Sequence, residues 1–355
     1  MGLVSRIDGY QRRHRVIGIP LAVVYKFFDD QGNYLAAIIT YYGFLSLFPL
    51  LLLFVTILGF LLRGHPHLQH QLLHSALAQF PIVGNELQRS THSITGGATG
   101  LVVGIVGALY GGLGVVQAGQ NAFNRAYAVP RQDRPDPLHS RARSLVLLPV
   151  LGLGVAFTTV LSGFTTSAAS VLGGGAKVGG TILSVLLNIV IFAAAYRLLT
   201  AVRLSNRDVA AGAVIAGVAW QVLQSVGTLV IRHKLKGAGA TAGTFGVVLG
   251  LLAWIYVEAI ITVLCAEINV VVRRRLWPRA LLALVSDTED LTSGDRAVYS
   301  SYSRSERYKS FHDITVRFLP KAAGPDRGAV PGGKGRRRRP PGRPPARPPG
   351  RGVSP

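Results

Sequence analysis

The sequence predicts an all-α integral membrane protein: a bundle of six transmembrane helices, an interfacial helix before it and a disordered basic tail behind it. Three observations carry that expectation. Charge is scarce, apolar runs of spanning length recur, and the flanks of those runs alternate between rich and poor in Lys and Arg. Only 15% of the 355 residues are charged while 49% are hydrophobic, against about 25% charged in an ordinary soluble domain. Between Leu35 and Ala128 the sole acidic residue is Glu86, so a long stretch has shed the charge that lipid penalises. The net charge of +22 sits largely in the two ends and the short loops. A basic excess suits nucleic acid or an anionic membrane surface; the apolar core puts the membrane first.

A spanning helix needs about 20 mostly apolar residues. Six segments qualify within residues 35–275: Leu35–Leu62, bent at Pro49, then Gly97–Ala118, Ser144–Leu172, Thr181–Val202, Val209–Ile231 and Thr244–Val272. Residues 1–34 precede them as a cytoplasmic, interfacial segment. Arg6, Arg12, Arg13 and Arg15 lead into an apolar stretch that Pro20 interrupts, with no small-residue cleavage site, so it is not a secretory signal. Ile17–Phe28 reads as an amphipathic helix lying in the membrane surface.

Orientation follows from the basic flanks. Five Lys and Arg residues precede the first span: Arg6, Arg12, Arg13, Arg15 and Lys26. Arg125, Arg131, Arg134, Arg141 and Arg143 lie between the second and third, and Arg273, Arg274, Arg275 and Arg279 follow the sixth. The alternate loops are poorer. Both termini are therefore expected in the cytoplasm, which requires an even number of spans and agrees with six.

The first outside loop, Arg63–Gly96, is long, and the apolar spacing within Leu68–Ser90 predicts one or two interfacial helices broken at Pro81. Beyond the last span, residues 276–355 turn polar, then rich in Pro, Gly and Arg with Arg336–Arg339 in a run. Such a composition buries too little apolar area to offset chain entropy, so this tail is expected to be disordered.

Glycines recur every three or four residues at Gly97, Gly100, Gly104, Gly107, Gly111 and Gly114, and again at Gly239, Gly243, Gly246 and Gly250. Each set forms a face for tight helix packing or for a sliding contact. Gln117, Gln120, Asn121 and Asn124 share one face at the end of the second span, and Gln221, Gln224, Ser225 and Thr228 repeat that spacing in the fifth. Amides in hydrocarbon must face protein or water, so these stripes either bond neighbouring helices or line a polar cavity. Glu258 lies near the middle of the sixth span. It is either a transport or relay group or a neutral carboxyl bonded to a neighbouring helix. Glu267 stands nine residues on, about 13 Å along the axis and on the opposite side. It is expected to fix packing or to pair with Arg125 or Arg197.

His65, His67, His70 and His74 cluster in the outside loop. Without nearby Cys or acidic ligands and without H-E-x-x-H, they read as a solvated face rather than zinc ligands. No metal, cofactor or catalytic constellation is expected. Cys265 is the single cysteine, so no disulfide closes within the chain.

Four segments, in order, resemble the YihY/virulence factor BrkB family of bacterial inner-membrane proteins, once labelled ribonuclease BN. They are Tyr41-Tyr42-Gly43-Phe44-Leu45-Ser46-Leu47-Phe48-Pro49; Gln120-Asn121-Ala122-Phe123-Asn124-Arg125-Ala126-Tyr127; Tyr196-Arg197-Leu198-Leu199 with Arg207-Asp208-Val209; and Trp254-Ile255-Tyr256 with Ala266-Glu267-Ile268-Asn269. The resemblance spans about Val16–Arg275. It implies a six-helix inner-membrane protein with both ends inside, and it carries no activity with it. Asn121, Asn124, Arg125, Arg197, Glu267 and Asn269 fall on matching positions. Thr200 stands where the family often has proline, Cys265 where it often has glycine, and Glu258 lies outside the family's motifs.

Two functions fit these residues. One is a transporter or flippase-like exporter of a lipid or amphipathic solute, with a cavity between the second, fifth and sixth spans containing Gln221 and Glu258. The alternative is a non-transporting membrane scaffold or envelope-integrity factor. The expected partners are membrane lipids, with anionic headgroups at the basic tail, and no specific nucleic acid.

Overall fold

The computed structural model describes residues 2–61, 98–136, 138–149, 152, 174–234, 240–281 and 290–319. Among these the chain is helical, with no strand. Contacts divide it into a large unit, Met1–Arg317, and a short one, Phe318–Pro355. The described helices all belong to the large unit. They are α1 (Gly2–Arg13), α2 (Arg15–Asp29), α3 (Gly32–Leu61) and α4 (Ala98–Ala126). A turn of 3₁₀ helix at Arg131–Asp133 leads to α5 (residues 138–149), and then come α6 (Gly174–Leu199), α7 (Asn206–Lys234), α8 (Ala240–Arg274) and α9 (Ser293–Ser305).

Three stretches of these helices, Val178–Leu199, Asn206–Gly227 and Val248–Arg274, are long and apolar enough to cross a membrane. Their outward faces carry large apolar side chains in the open, among them Leu186, Val190, Val218, Val222 and Val257. A soluble protein would cover such a surface. The helix ends differ from the expected spans in instructive ways. α4 runs on through the Gln120–Asn124 stripe to Ala126, and α5 begins before Ser144. The remainder of the third expected span, the outside loop with its histidines, and the Pro/Arg-rich stretch after 319 lie outside the described residues.

The ends are closed by local chemistry. After α4, Ala128 takes a left-handed φ of 45°, and Val129 N–H reaches back to the Asn124 carbonyl at 2.8 Å. α8 stops the same way: Arg275 has φ 53°, and Leu276 N–H bonds the Val271 carbonyl at 3.1 Å. Both are six-to-one closures that satisfy otherwise orphaned helix carbonyls. At the start of α7, Asp208 Oδ2 accepts Ser205 N–H at 2.8 Å, a side chain reaching back to cap the first turn.

α8 is the central element, packed on α2, α3, α4 and α7, while α6 packs on α7. α3 and α4 run antiparallel along the glycine face. A Cβ at Gly107 would stand 2.6 Å from Pro49 Cγ, and one at Gly111 would stand 2.6 Å from Ser46 Cα; Gly114 lies against the Tyr42 ring. The glycines thus bring two backbones closer than any side chain allows. The core gathers at one end of the bundle. There Phe123 and Tyr127 of the α4 end, Tyr196 of α6, Val209 and Ala213 of α7, Val263 and Val270 of α8 and Val298 of α9 pack together.

That last residue corrects an expectation. Residues 276–281 and 290–319 were expected to be disordered with the tail, yet α9 is an ordered helix whose Gly294, Asp295 and Val298 are buried. The physical reason is a capping box. Thr292 Oγ1 accepts Asp295 N–H at 3.1 Å, and Asp295 Oδ2 accepts Thr292 N–H at 2.9 Å. Val298, Tyr299 and Tyr302 then give the short helix a face that joins the core.

Candidate functional site

Two polar constellations occupy this end of the bundle. The first is a cavity of about 270 Å³ lined by Gln117, Gln120, Asn121, Asn124, Arg134, Pro135, Ser140 and Arg141. The α4 stripe supplies the amides, the α4–α5 connection supplies Arg134, and α5 supplies Arg141. Some of the amides are already engaged. Gln120 Nε2 donates to Ser144 Oγ at 3.1 Å, and Gln120 Oε1 accepts from Ser140 Oγ at 2.9 Å. Asn124 Oδ1 accepts Ala201 N–H at 2.7 Å, which fixes the turn after α6 to α4. Among the described residues the lining contains no carboxylate. Burial, and then the neighbouring Arg131, pull Arg134 below its ordinary value.

Helical geometry gives the cavity a direction. Val106 and Tyr110 are exposed on α4, and at roughly 100° per residue they fall on the same face as Gln117 and Asn121. One face of α4 is therefore apolar along its length and polar at its end.

The second constellation is a buried ion network. Lys26 Nζ of α2 lies 2.5 Å from Asp30 Oδ2 and 2.9 Å from Glu267 Oε2 of α8. It also donates to the Ala126 carbonyl, at the end of α4, at 2.8 Å. The three side chains are between 0% and 2% exposed. Beside them Arg279 Nε donates to Asp295 of α9 at 2.5 Å, and Arg279 Nη2 donates to Asp29 at 2.9 Å. The Arg279 carbonyl accepts from Gln11 of α1 at 2.6 Å. Tyr25 and Tyr299 hold their rings against the Arg279 guanidinium, and Tyr302 does so for Lys26. Burial works against the Lys26 charge, but Glu267 and Asp30 together outweigh it and hold the ammonium above its ordinary value.

The sequence-derived residues divide between these places. Glu267 pairs with Lys26, not with Arg125 or Arg197. Arg197 instead donates to the Leu204 carbonyl at 3.1 Å and to Asn206 Oδ1 at 2.6 Å. Arg125 lies at the α4 end near Arg134 and Glu306. Asn269 Oδ1 accepts Gly212 N–H at 2.6 Å, and a Cβ at Gly212 would run into that side chain and the Cys265 carbonyl. Pro49 faces Gly107 of α4. Gln221 and Gln224 are half-buried on α7 and do not line the cavity, nor does Glu258. Glu258 is half-buried, and its Oε1 is buried without a hydrogen bond. Its polar neighbour is Trp254, one turn back. Among the described residues, no three His, Cys, Asp or Glu side chains are placed to hold a metal.

Sequence reasoning missed Lys26, Asp30, Asp29, Arg279 and Asp295. One signal was present: Gly18, Ala22, Val23, Lys26 and Phe27 form the buried stripe of α2, and a lysine inside an apolar stripe needs a partner.

Comparison with known proteins decides the family. The description "Virulence factor BrkB" matches residues 23–283. The chain belongs to the virulence factor BrkB family. This BrkB-family protein is 25% identical to inner membrane protein YhjD of Escherichia coli (strain K12) over 274 residues, which is 72% of the chain and 81% of the relative. It is 26% identical over 261 residues to YfkH of Bacillus subtilis (strain 168), which bears a ribonuclease-like name; that alignment covers 69% of the chain and 91% of the relative. No solved structure matches it. With its apolar helices, this BrkB-family chain is a membrane protein.

Proposed function

We propose that this BrkB-family protein is a six-span transporter or flippase-like exporter of an anionic amphiphile, with both ends in the cytoplasm. The observation that carries the reading is the cavity at the α4 end. Arg134, Arg141 and neutral amides line it, no carboxylate does among the described residues, and an exposed apolar strip with Val106 and Tyr110 continues from it on the same helix face. A headgroup fits the polar end and an acyl chain fits the strip. The concentration of Lys and Arg at this end, in the N-terminal segment, the α4–α5 connection and the residues after α8, supports placing it on the cytoplasmic side. The Arg-rich tail would add attraction to anionic headgroups there. The central position of Glu258 and of the α7 amides supports a later step along the path, with Gln221 and Glu258 contacting the solute in transit.

The test is reconstitution into vesicles carrying a trace of fluorescent anionic lipid, with quencher added outside. Transport predicts faster loss of the protected fluorescence than in protein-free vesicles, and a return to the protein-free rate in Arg134→Gln/Arg141→Gln. Equal rates with and without the wild-type protein would overturn the reading. The dense ties between helices, such as Asn124 to Ala201 and Asn269 to Gly212, favour the scaffold reading instead, and that outcome would select it.

A further inference from the structure

The buried network around Lys26 has more acid than base. Asp29, Asp30, Glu267 and Asp295 face two cations, Lys26 and Arg279. This holds in a chain whose net charge is +22, so basic side chains were plentiful elsewhere. Arg279 also faces two carboxylates, Asp29 and Asp295, but it meets each with a separate guanidinium nitrogen, and Asp29 is 11% exposed. Each centre thus has one carboxylate in excess, and the one at Lys26 is the more enclosed. There Asp30 and Glu267 both place an oxygen within 2.9 Å of one nitrogen, and they lie against each other. Glu267 is 0% exposed; its Oε2 meets Lys26 Nζ, and its Oε1 is buried without a hydrogen-bond partner.

The surroundings set the charge state of the neighbouring lysine, arginine and tyrosines. Lys26 is held as ammonium. Tyr302 of α9 has its hydroxyl buried and unpartnered; burial first, then Asp30, Asp29 and Glu267, push it upward, so it stays neutral. Tyr127, beyond the end of α4, is raised by burial and stays neutral as well. Arg279 is charged and engaged. Among the described residues no second cation is left for the second carboxylate, and an uncompensated carboxylate in a dry interior costs several kcal/mol. Two carboxylates sharing a site resolve that cost by keeping one proton between them.

We infer that Asp30 and Glu267 form a proton-binding site, sharing one proton beside the Lys26 ammonium. The proton comes from water as H⁺ and adds to one carboxylate oxygen. It leaves the same way, so the network changes by one charge and no other bond forms or breaks. In the protonated state the acid supplies an O–H donor to the other carboxylate, which satisfies an otherwise orphaned acceptor. When the proton leaves, two anions compete for Lys26, whose third contact is the Ala126 carbonyl. Ala126 ends the helix that lines the cavity. Any consequence for transport rests on the proposed role of that cavity; the proton site does not.

Infrared spectroscopy of the purified full chain reads the site directly. The background is Glu258→Gln, because Glu258 is another buried carboxyl. At neutral pH the folded protein is expected to show the C=O band of a neutral carboxylic acid, which shifts in heavy water and fades as pH rises. Carbon-13 labelling of aspartate or of glutamate assigns the band without any substitution at the site. Glu267→Gln and Asp30→Asn, each alone, should abolish it, since either leaves one carboxylate for one ammonium. The amide band in the same spectra reports folding. A folded protein without the acid band, or a band unmoved by either label, overturns the inference. Vesicle assays without lipid movement, alongside an intact band, would end the transport reading and leave the proton site standing.

Discussion

Glu267 and Lys26 meet at 2.9 Å with no measurable exposure of the one and almost none of the other, joining the end of the last long helix to the helix that precedes the first. Removing one partner from a buried pair leaves a bare charge and costs about 3–5 kcal/mol. Lys26→Met is therefore expected to lower Tm markedly in detergent at pH 8. Two carboxyls remain there without a counter-ion, so the deficit should shrink as pH falls. Equal melting of variant and wild type at pH 8 would remove Lys26 from the load it is assigned.

The same lysine sets an alkaline limit. Its folded value is raised above the unfolded one by Glu267 and Asp30, against burial. The stabilisation is then complete below the ordinary lysine value of about 10.4 and is lost as pH rises through the higher folded value. Thermal melts from pH 8 upward should show a fall in stability at the alkaline end. Lys26→Met should flatten it.

Arg279 holds Asp29 and Asp295 at once, and it is 0% exposed. Arg279→Lys keeps the charge but not the fork that reaches two carboxylates. The expected result is selective: faster hydrogen exchange across 293–305 with α3 and α4 little changed. Exchange that rises evenly over the whole chain would contradict that local role.

Gly111 faces the backbone of Ser46 at a distance that no real Cβ tolerates. Gly111→Ala should force α3 from α4 and cost about 1–3 kcal/mol, the usual range for overpacking. Gly246 has open space around it, so Gly246→Ala serves as the matched control and should melt as the wild type does. Loss of stability at both positions would point to helix flexibility rather than close packing.

Much of the frame was legible because hydropathy acts locally. The expected spans at Leu35–Leu62, Thr181–Val202, Val209–Ile231 and Thr244–Val272 each fall largely on one helix, α3, α6, α7 and α8. The polar stripe of α4 was legible for the same reason, since Gln117 to Asn124 is a single helix face. Its choice between bonding and lining was not: Gln120 and Asn124 do both. The ion network was illegible because Lys26, Glu267, Arg279 and Asp295 are distant in sequence, and no periodicity links them. α9 was misread for a different reason. Composition averages over residues 276–355 hid a short signal, Thr292-x-x-Asp295 followed by Val298, Tyr299 and Tyr302, that names a capped helix on its own.

The capping aspartate of α9 also fixes an order of events. Asp295 lies beyond the last long helix, so a ribosome has already delivered every preceding span before Arg279 can gain its second carboxylate. Until then the α2 end has Asp29 alone to offer that guanidinium. A chain cut short before residue 295 therefore carries a half-matched arginine where the longer chain has a sealed joint.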